Sequence, residues 1–337
     1  MARLGAVQAQ EYGPAKWALG LRSRRGTTES SVERALDQGR ILRTHLLRPT
    51  WHFVSSVDIR WMLELTAPQV HRRMSPYDLQ LGLDPGVMTR AAAVIERALG
   101  DSGSLTRREL GAHLERAGLP SRTQQLAHIM MYAELEGLIC SGPRRGKQFT
   151  YALLADRAPA ARRLPRDEAL AELARRYFLS HGPATVRDFV WWSGLSTADA
   201  RGGLEMVGAK PQVVDGITYW RVGPEPKLAR RPGRNVHLLP VYDEYLVAYR
   251  DLTAVPRPAY LLGGFLHSLV ITGQVVGTWR TILGKDGVTV SVSPHRKLTA
   301  AERLGVAKAM ARFGSFQQGT TEARKVAVAT FRTDLIQ

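Results

Sequence analysis

SLTRRELGAHLERAGL, residues 104–119, and PATVRDFVWWSGL, residues 183–195, decide how this chain folds. Each puts a threonine directly ahead of an amphipathic helix. Thr106 is followed three residues later by Glu109, the spacing of a capping box. Thr185 is the expected cap of the second helix. Ahead of the first stretch, MTRAAAVIERALGDSG (88–103) carries a helical apolar stripe at Ala92, Val94, Ile95, Ala98 and Leu99, and Gly100 and Gly103 stop it. Behind it, PSRTQQLAHIMMYAELEGLICSG (120–142) predicts a third helix from Ser121 to before Gly142. PRRGKQFTYALL (143–154) then predicts two short strands around a basic turn. Three helices and a hairpin is the order of a winged helix.

The order returns around Thr185. Residues 165–182 predict a helix ending at Gly182, Ser196 starts a third helix, and KPQVVDGITYWRV (210–222) is a hairpin with Asp215-Gly216 at its turn. The two capping threonines lie 79 positions apart, and a repeated supersecondary unit says more than either copy alone. A third, looser copy comes first. TTESSVERALDQG (27–39) is a helix capped by Thr28 or Ser30, RILRTHLLRPTWHFV (40–54) alternates like a strand pair, and residues 58–68 predict a helix ending at Pro68.

Beyond Pro224 the composition changes. PEPKLARRPGRN (224–235) reads as a basic linker, with Lys227, Arg230, Arg231 and Arg234 among prolines and a glycine. Strand-like segments rich in Val, Ile, Thr and Trp follow, and a last helix (299–316) places Leu304, Ala307 and Met310 on one face. The expected class is therefore α+β: tandem winged-helix units followed by a small β-rich C-terminal domain. The expected boundaries are 1–85, 86–157, 163–224 and 235–337. A chain of 337 residues suits two to four such domains.

Charge narrows the function. Lys and Arg total 47 against 30 Asp and Glu, a net charge of +17, which favours a polyanionic partner, above all nucleic acid. The single cysteine, Cys140, cannot form an internal disulfide, and no Cys/His cluster has zinc spacing. With no signal peptide and no long apolar run, the expected setting is the cytoplasm, near the nucleoid and away from membranes.

Winged helices usually seat the third helix in the major groove and lay the wing on the backbone. Here that points to Ser121, Arg122, Gln124, Gln125 and His128 on the helix, and to Arg144, Arg145 and Lys147 on the wing. The competing reading is a scaffold whose third helix is buried against a neighbour. The unit at 163–224 fits that better, because its third helix has one arginine and its wing carries Asp215 at the tip. The tryptophans, among them Trp17, Trp51, Trp61, Trp191 and Trp192, favour core packing, and so do His45 and His52. In YDEY (242–245), Asp243 and Glu244 read as neighbours on a strand, facing opposite sides, with Arg250 as an available ion-pair partner.

The least ordinary stretch is LGAVQAQEYGPAKWALGLR (4–22), with Gln8 and Gln10 in apolar company. A polar helix edge accounts for the spacing. Two amides also suit a reaction that needs a positioned water and no strong base. Excision of an N7-alkylated guanine is one: the base already carries positive charge and leaves without protonation. Amides that align water and stabilise charge developing on the sugar then suffice.

The stretches 4–22, GRILRTHLLRPTWHFVSSVDIRWMLELTAP (39–68) and LLPVYDEYLVAYRD (238–251) together resemble the winged helix DNA-binding family of bacterial DNA glycosylases typified by AlkZ and YcaQ. The resemblance covers nearly the whole chain. It implies tandem winged helices that cradle double-stranded DNA, and excision of bulky N7-alkylpurines, including interstrand crosslinks. No metal or organic cofactor is implied, and a monomer is expected. One branch carries Gln-aliphatic-Gln at its catalytic motif and the other Gln-x-Asp. Gln8-Ala9-Gln10 resembles the first, which makes Gln8 and Gln10 the expected catalytic residues. Family members usually carry a further stretch ahead of this motif. The DNA backbone is expected at Arg144, Arg145, Lys147 and the linker cations. A rival from another class is a non-catalytic winged-helix regulator, which would bind one DNA sequence far more tightly than bulk DNA.

Overall fold

Thr106 and Thr185 cap helices where the sequence places them. The computed structural model describes residues 1–224, 235–252, 255, 266–284, 287–317 and 325–331. In chain order the first elements are β1 (Ala6–Gln8), α1 (Tyr12–Arg22), α2 (Glu29–Asp37), β2 (Ile41–Leu46), β3 (Arg48–Ser55) and α3 (Ile59–Gln80). Next come α4 (Pro85–Ser102), β4 (Leu105–Thr106), α5 (Arg107–Arg116), α6 (Thr123–Leu135), β5 (Ile139–Ser141), β6 (Thr150–Leu153) and α7 (Leu154–Arg157). They are followed by α8 (Arg166–Ser180), α9 (Val186–Ser193), α10 (Thr197–Met206), β7 (Lys210–Val214) and β8 (Ile217–Arg221). The last are β9 (Val236–Leu239), α11 (Glu244–Val247), β10 (Ser268–Ile271), β11 (Gln274–Gly284), β12 (Gly287–Pro294), α12 (Ala300–Gln317) and β13 (Lys325–Phe331). The chain is a mixed helix-and-sheet protein, and both predicted repeats run helix, helix, helix, hairpin.

Two compact units emerge: Met1–Val7 with Ala35–Gly223, and Gln8–Arg34 with Pro224–Gln337. In the first, Thr106 and Glu109 close a capping box on α5, and Thr185 and Asp188 close the equivalent one on α9. Each such cap satisfies helix-end N–H groups and stabilises by about 1 kcal/mol. Leu99, Leu110, Leu114, Ile129 and Ile139 form one apolar core beneath α4, α5, α6 and the β4-β6-β5 sheet. The β7–β8 hairpin turns at Asp215 and Gly216, both at positive φ, as the Asp-Gly pair requires.

The strand pair expected at 40–54 is present as β2 and β3, in a sheet of order β1-β3-β2. The helix expected to end at Pro68 instead runs to Gln80, through Pro68 and Pro76. Both prolines lie on its exposed side, so the carbonyls they leave unpaired point towards water. The opposite face is held by Ala67, Val70 and Met74 packing against Met131 and Leu135. A buried ion pair anchors the start of α3. Asp58 accepts from both terminal nitrogens of Arg176 (2.8 and 3.1 Å), from Arg162 (2.6 Å) and from the Trp61 indole (3.1 Å). Burial works to raise the Asp58 pKa, but these donors outweigh it and hold the group at about 2.

In the second unit the sheet order is β13-β12-β11-β10-β9, antiparallel throughout except for the β12–β13 pair. The α12 helix presents Val306, Ala309, Met310, Phe313 and Phe316 as its buried face. Leu304 and Ala307, expected on that face, are exposed. The true stripe follows the two phenylalanines, whose larger apolar area wins the interior position. The α1 helix lies against α12 at Gly20, where an added Cβ would come within 2.6 Å of the Phe316 ring.

Candidate active site

Gln8 closes β1 and is buried at 7% exposure, Ala9 is fully buried, and Gln10 is partly exposed just before α1. The motif thus crosses from interior to surface within three residues. Its main chain is held from far along the sequence: the Gln8 N–H donates to Glu244 Oε1 at 2.7 Å. Glu244 is 2% exposed. This corrects the strand expected through YDEY. Pro240 ends β9, Asp243 caps α11 by accepting the Tyr245 N–H at 2.9 Å, and Glu244 opens that helix. The two carboxylates therefore do not alternate across a strand, and each has a distinct partner.

Asp243 pairs with Arg22, at the end of α1, through two parallel hydrogen bonds of 2.7 and 2.8 Å. Asp243 has no exposed side-chain surface, whereas the Arg22 side chain keeps 29%. Burial disfavours the guanidinium charge, but the Asp243 carboxylate outweighs it and raises the Arg22 pKa. At the other end of α1, the buried Lys16 reaches Glu29 at 2.5 Å and also Glu33, which accepts the Tyr12 hydroxyl proton at 2.7 Å. Charge pairs thus clamp both ends of the helix that follows the motif, and such clamps fix geometry more than they add stability.

A family model described as DNA glycosylase AlkZ-like matches residues 1–316. The chain belongs to the AlkZ-like DNA glycosylase family. It is accordingly a DNA glycosylase, with DNA as its substrate. An interstrand DNA cross-link repair glycosylase of Streptomyces sahachiroi is 26% identical to this glycosylase over 318 residues, covering 83% of this chain and 81% of the relative. The solved structure of the Streptomyces sahachiroi DNA glycosylase AlkZ shares its fold, with a TM-score of 0.75, 22% identity, and coverage of 97% of this chain and 92% of that one.

The turn at 143–149, where the sequence places a wing, is closed by reciprocal bonds between Arg145 and Gln148, both 3.1 Å. Arg145 is tied back, donating to Glu109 Oε1 (2.8 Å) and to the Ser104 carbonyl (3.0 Å). Arg144 donates to the Lys147 carbonyl (2.6 Å) and lies over Phe149, 5.0 Å from the ring centroid. Arg43 of β2 flanks the same ring at 5.3 Å and covers Trp51 at 4.3 Å. Two guanidiniums therefore lie against one exposed phenylalanine beside this turn, and Lys147 is exposed on it. Lys227, Arg230, Arg231 and Arg234 lie outside the described residues.

In the third helix of this repeat, α6, Gln124 is exposed, as is Arg122 just ahead of it, while Gln125 and His128 are engaged within the protein. Gln125 donates to the Leu81 carbonyl (3.0 Å) and His128 pairs with Asp78 (2.6 Å), so both serve packing against the preceding helices. His45 is buried against Glu134, and His52 hydrogen-bonds the Thr50 carbonyl at 2.9 Å, which makes them core histidines as expected. Trp17, Trp61 and Trp192 are likewise core, while Trp191 is 43% exposed. Among the described residues no group of His, Cys, Asp and Glu is arranged to hold a metal, and no helix is long and apolar enough to cross a membrane. Sequence reasoning passed over Arg43 and the role of Glu244. Glu244 lies in a stretch that carries the family resemblance, but only the fold shows what it touches.

Proposed function

We propose that this glycosylase excises bulky N7-alkylated purines from double-stranded DNA as a monomer in the cytoplasm, without metal or organic cofactor, and that Gln8 and Gln10 position the attacking water. Crosslinked purines belong to the same substrate class, in keeping with the cross-link repair activity for which the Streptomyces relative is named. The observation that carries the reading is the Glu244 carboxylate accepting the Gln8 N–H, which pins the motif where its interior end meets the surface. The C1′–N9 bond breaks and its electron pair neutralises the cationic base, which leaves as the neutral N7-alkylpurine. The water oxygen bonds to C1′, and the water proton passes to solvent. Two carboxamides accept hydrogen bonds from that water and place it, and no strong base is required of them.

The tandem repeats at 86–157 and 163–224, with an N-terminal unit at 1–85 and a C-terminal domain at 235–337, are the proposed scaffold. Arg144, Arg145 and Lys147, with Lys227, Arg230, Arg231 and Arg234 of the linker, are proposed to hold the DNA backbone. The engagement of Gln125 and His128 in packing argues against a regulator that reads sequence through α6. The test is an abasic-site assay on duplex DNA carrying 7-methylguanine. The wild type should release the base. The Gln8→Ala, Gln10→Ala double variant should bind the duplex with unchanged affinity and release none. Release by the double variant at the wild-type rate would remove both residues from the mechanism.

A further inference from the structure

The second unit contains a cavity of about 230 Å³ lined by Trp17, Trp279, Phe313 and Phe316, with His267 and Gly13 at its border. Its walls are fixed. Trp17 Nε1 donates to the Leu238 carbonyl and Trp279 Nε1 to the Leu239 carbonyl, both at 2.7 Å. With both indole donors bound to β9, neither ring can turn without losing a buried hydrogen bond. Phe313 meets Trp17 edge-on at 5.1 Å and Trp279 at 5.0 Å, and Phe316 lies 5.1 Å from Trp17. The result is a rigid aromatic wall around an open volume. An apolar cavity of roughly 150 Å³ accepts one benzene ring, so this one has room for a fused bicycle.

Glu29, Thr281 and Gln317 also line the cavity, and His267 adds an imidazole. The Val241 N–H donates to His267 Nδ1 at 3.1 Å, which places the proton of the neutral imidazole on Nε2. Among the described residues Nε2–H has no hydrogen-bond acceptor. Burial lowers the His267 pKa, with Glu11 opposing, so the neutral tautomer prevails near pH 7. The cavity lies close to the motif, because Gly13 and Pro14 line it. Gly13, on the rim, is three residues beyond Gln10, a span of at most about 10 Å of chain.

A planar cation with hydrogen-bond acceptors on its edge matches this lining. Aromatic faces attract a cation, and more strongly where water is excluded. We propose that the cavity receives the purine ring of an N7-alkylated nucleotide, packed against the wall that the tryptophan and phenylalanine rings form and oriented by the Nε2–H of His267. The site admits the damaged ring by its charge and shape, while Gln8 and Gln10 act on the sugar outside it. The choice of ligand rests on the proposed function.

Calorimetric titration of the Gln10→Ala protein, which holds the glycosidic bond uncleaved, tests the cavity directly. 7-Methylguanosine should bind roughly tenfold more tightly than guanosine, the size of a partly desolvated cation–π interaction. A Gly13→Leu substitution should then abolish this binding. An added Cβ at Gly13 meets nothing within 4 Å, and leucine is the better helix former, so the plug goes in without disturbing the fold. In the otherwise wild-type protein, Gly13→Leu should retain duplex affinity and the circular dichroism spectrum but lose 7-methylguanine release. His267→Ala should weaken nucleoside binding severalfold. Equal affinity for the two nucleosides, binding that survives the Gly13→Leu plug, or wild-type base release by that variant would each overturn the proposal. If the wild type released no 7-methylguanine from DNA, the functional reading would fail, and the titration would still decide the cavity.

Discussion

Arg22→Met is the perturbation that most sharply tests how the Gln8-Ala9-Gln10 segment is held. Methionine keeps most of the apolar stem and removes the guanidinium. Asp243, with no exposed side-chain surface, then loses both of its 2.7–2.8 Å hydrogen bonds. Removing one member of a fully buried pair costs about 3–5 kcal/mol. Arg22 keeps 29% of its side chain exposed, so water reaches part of the gap, and about 2–3 kcal/mol is the expected loss. At roughly 3 °C per kcal/mol for a unit of this size, the affected transition should fall by roughly 6–9 °C. Differential scanning calorimetry of the full chain measures it. Adding Asp243→Asn should recover at least half of the loss, because asparagine can still cap α11 and leaves no buried charge. The single variant should also slow base release, since the residue after Asp243 is the one that holds Gln8. A single variant within about 1 kcal/mol of wild type, or a double variant no more stable than the single, would refute the view that a buried, compensated charge organises this corner.

Glu244→Ala should strand the buried Gln8 N–H at a cost of about 1–3 kcal/mol, whereas Glu244→Gln keeps an acceptor and should retain most of the stability and of the release rate; equal losses in thermal unfolding and single-turnover assays would contradict this. Replacing Arg144 and Lys147 by alanine should reduce the salt dependence of duplex binding by about 0.9 for each phosphate no longer neutralised. Arg145→Ala should change it least, because Glu109 and Ser104 already hold that guanidinium. Asp58 titrates at about 2 when folded against its ordinary 3.8. It therefore adds about 2 kcal/mol above pH 4, lost as the pH falls towards 2. The stability difference between wild type and Asp58→Asn should accordingly be large at pH 6 and shrink below pH 3, and a difference independent of pH would reject the assignment.

The local signals were legible because their partners are close in sequence. Thr106 and Glu109, Thr185 and Asp188, and the Asp215-Gly216 turn act within three residues, and all three stand where expected. Pro68 misled because a proline's effect on a helix depends on which side faces water, and the apolar packing of Ala67 and Val70 against Met131 and Leu135 decides that side. Leu304 misled for a related reason: several stripes were available on α12, and the one carrying Phe313 and Phe316 is buried.

By itself, then, the sequence determined the repeated helix–hairpin order, the basic character, and the pair of glutamines as a place to look. The tertiary structure alone decided what holds those glutamines. Glu244 lies 236 positions from Gln8, and Asp243 lies 221 from Arg22. Caps and turns are satisfied by atoms a few bonds away, so composition and spacing reveal them. A buried carboxylate is satisfied by whichever donor the folded chain delivers, and that delivery depends on the packing of every element between the two.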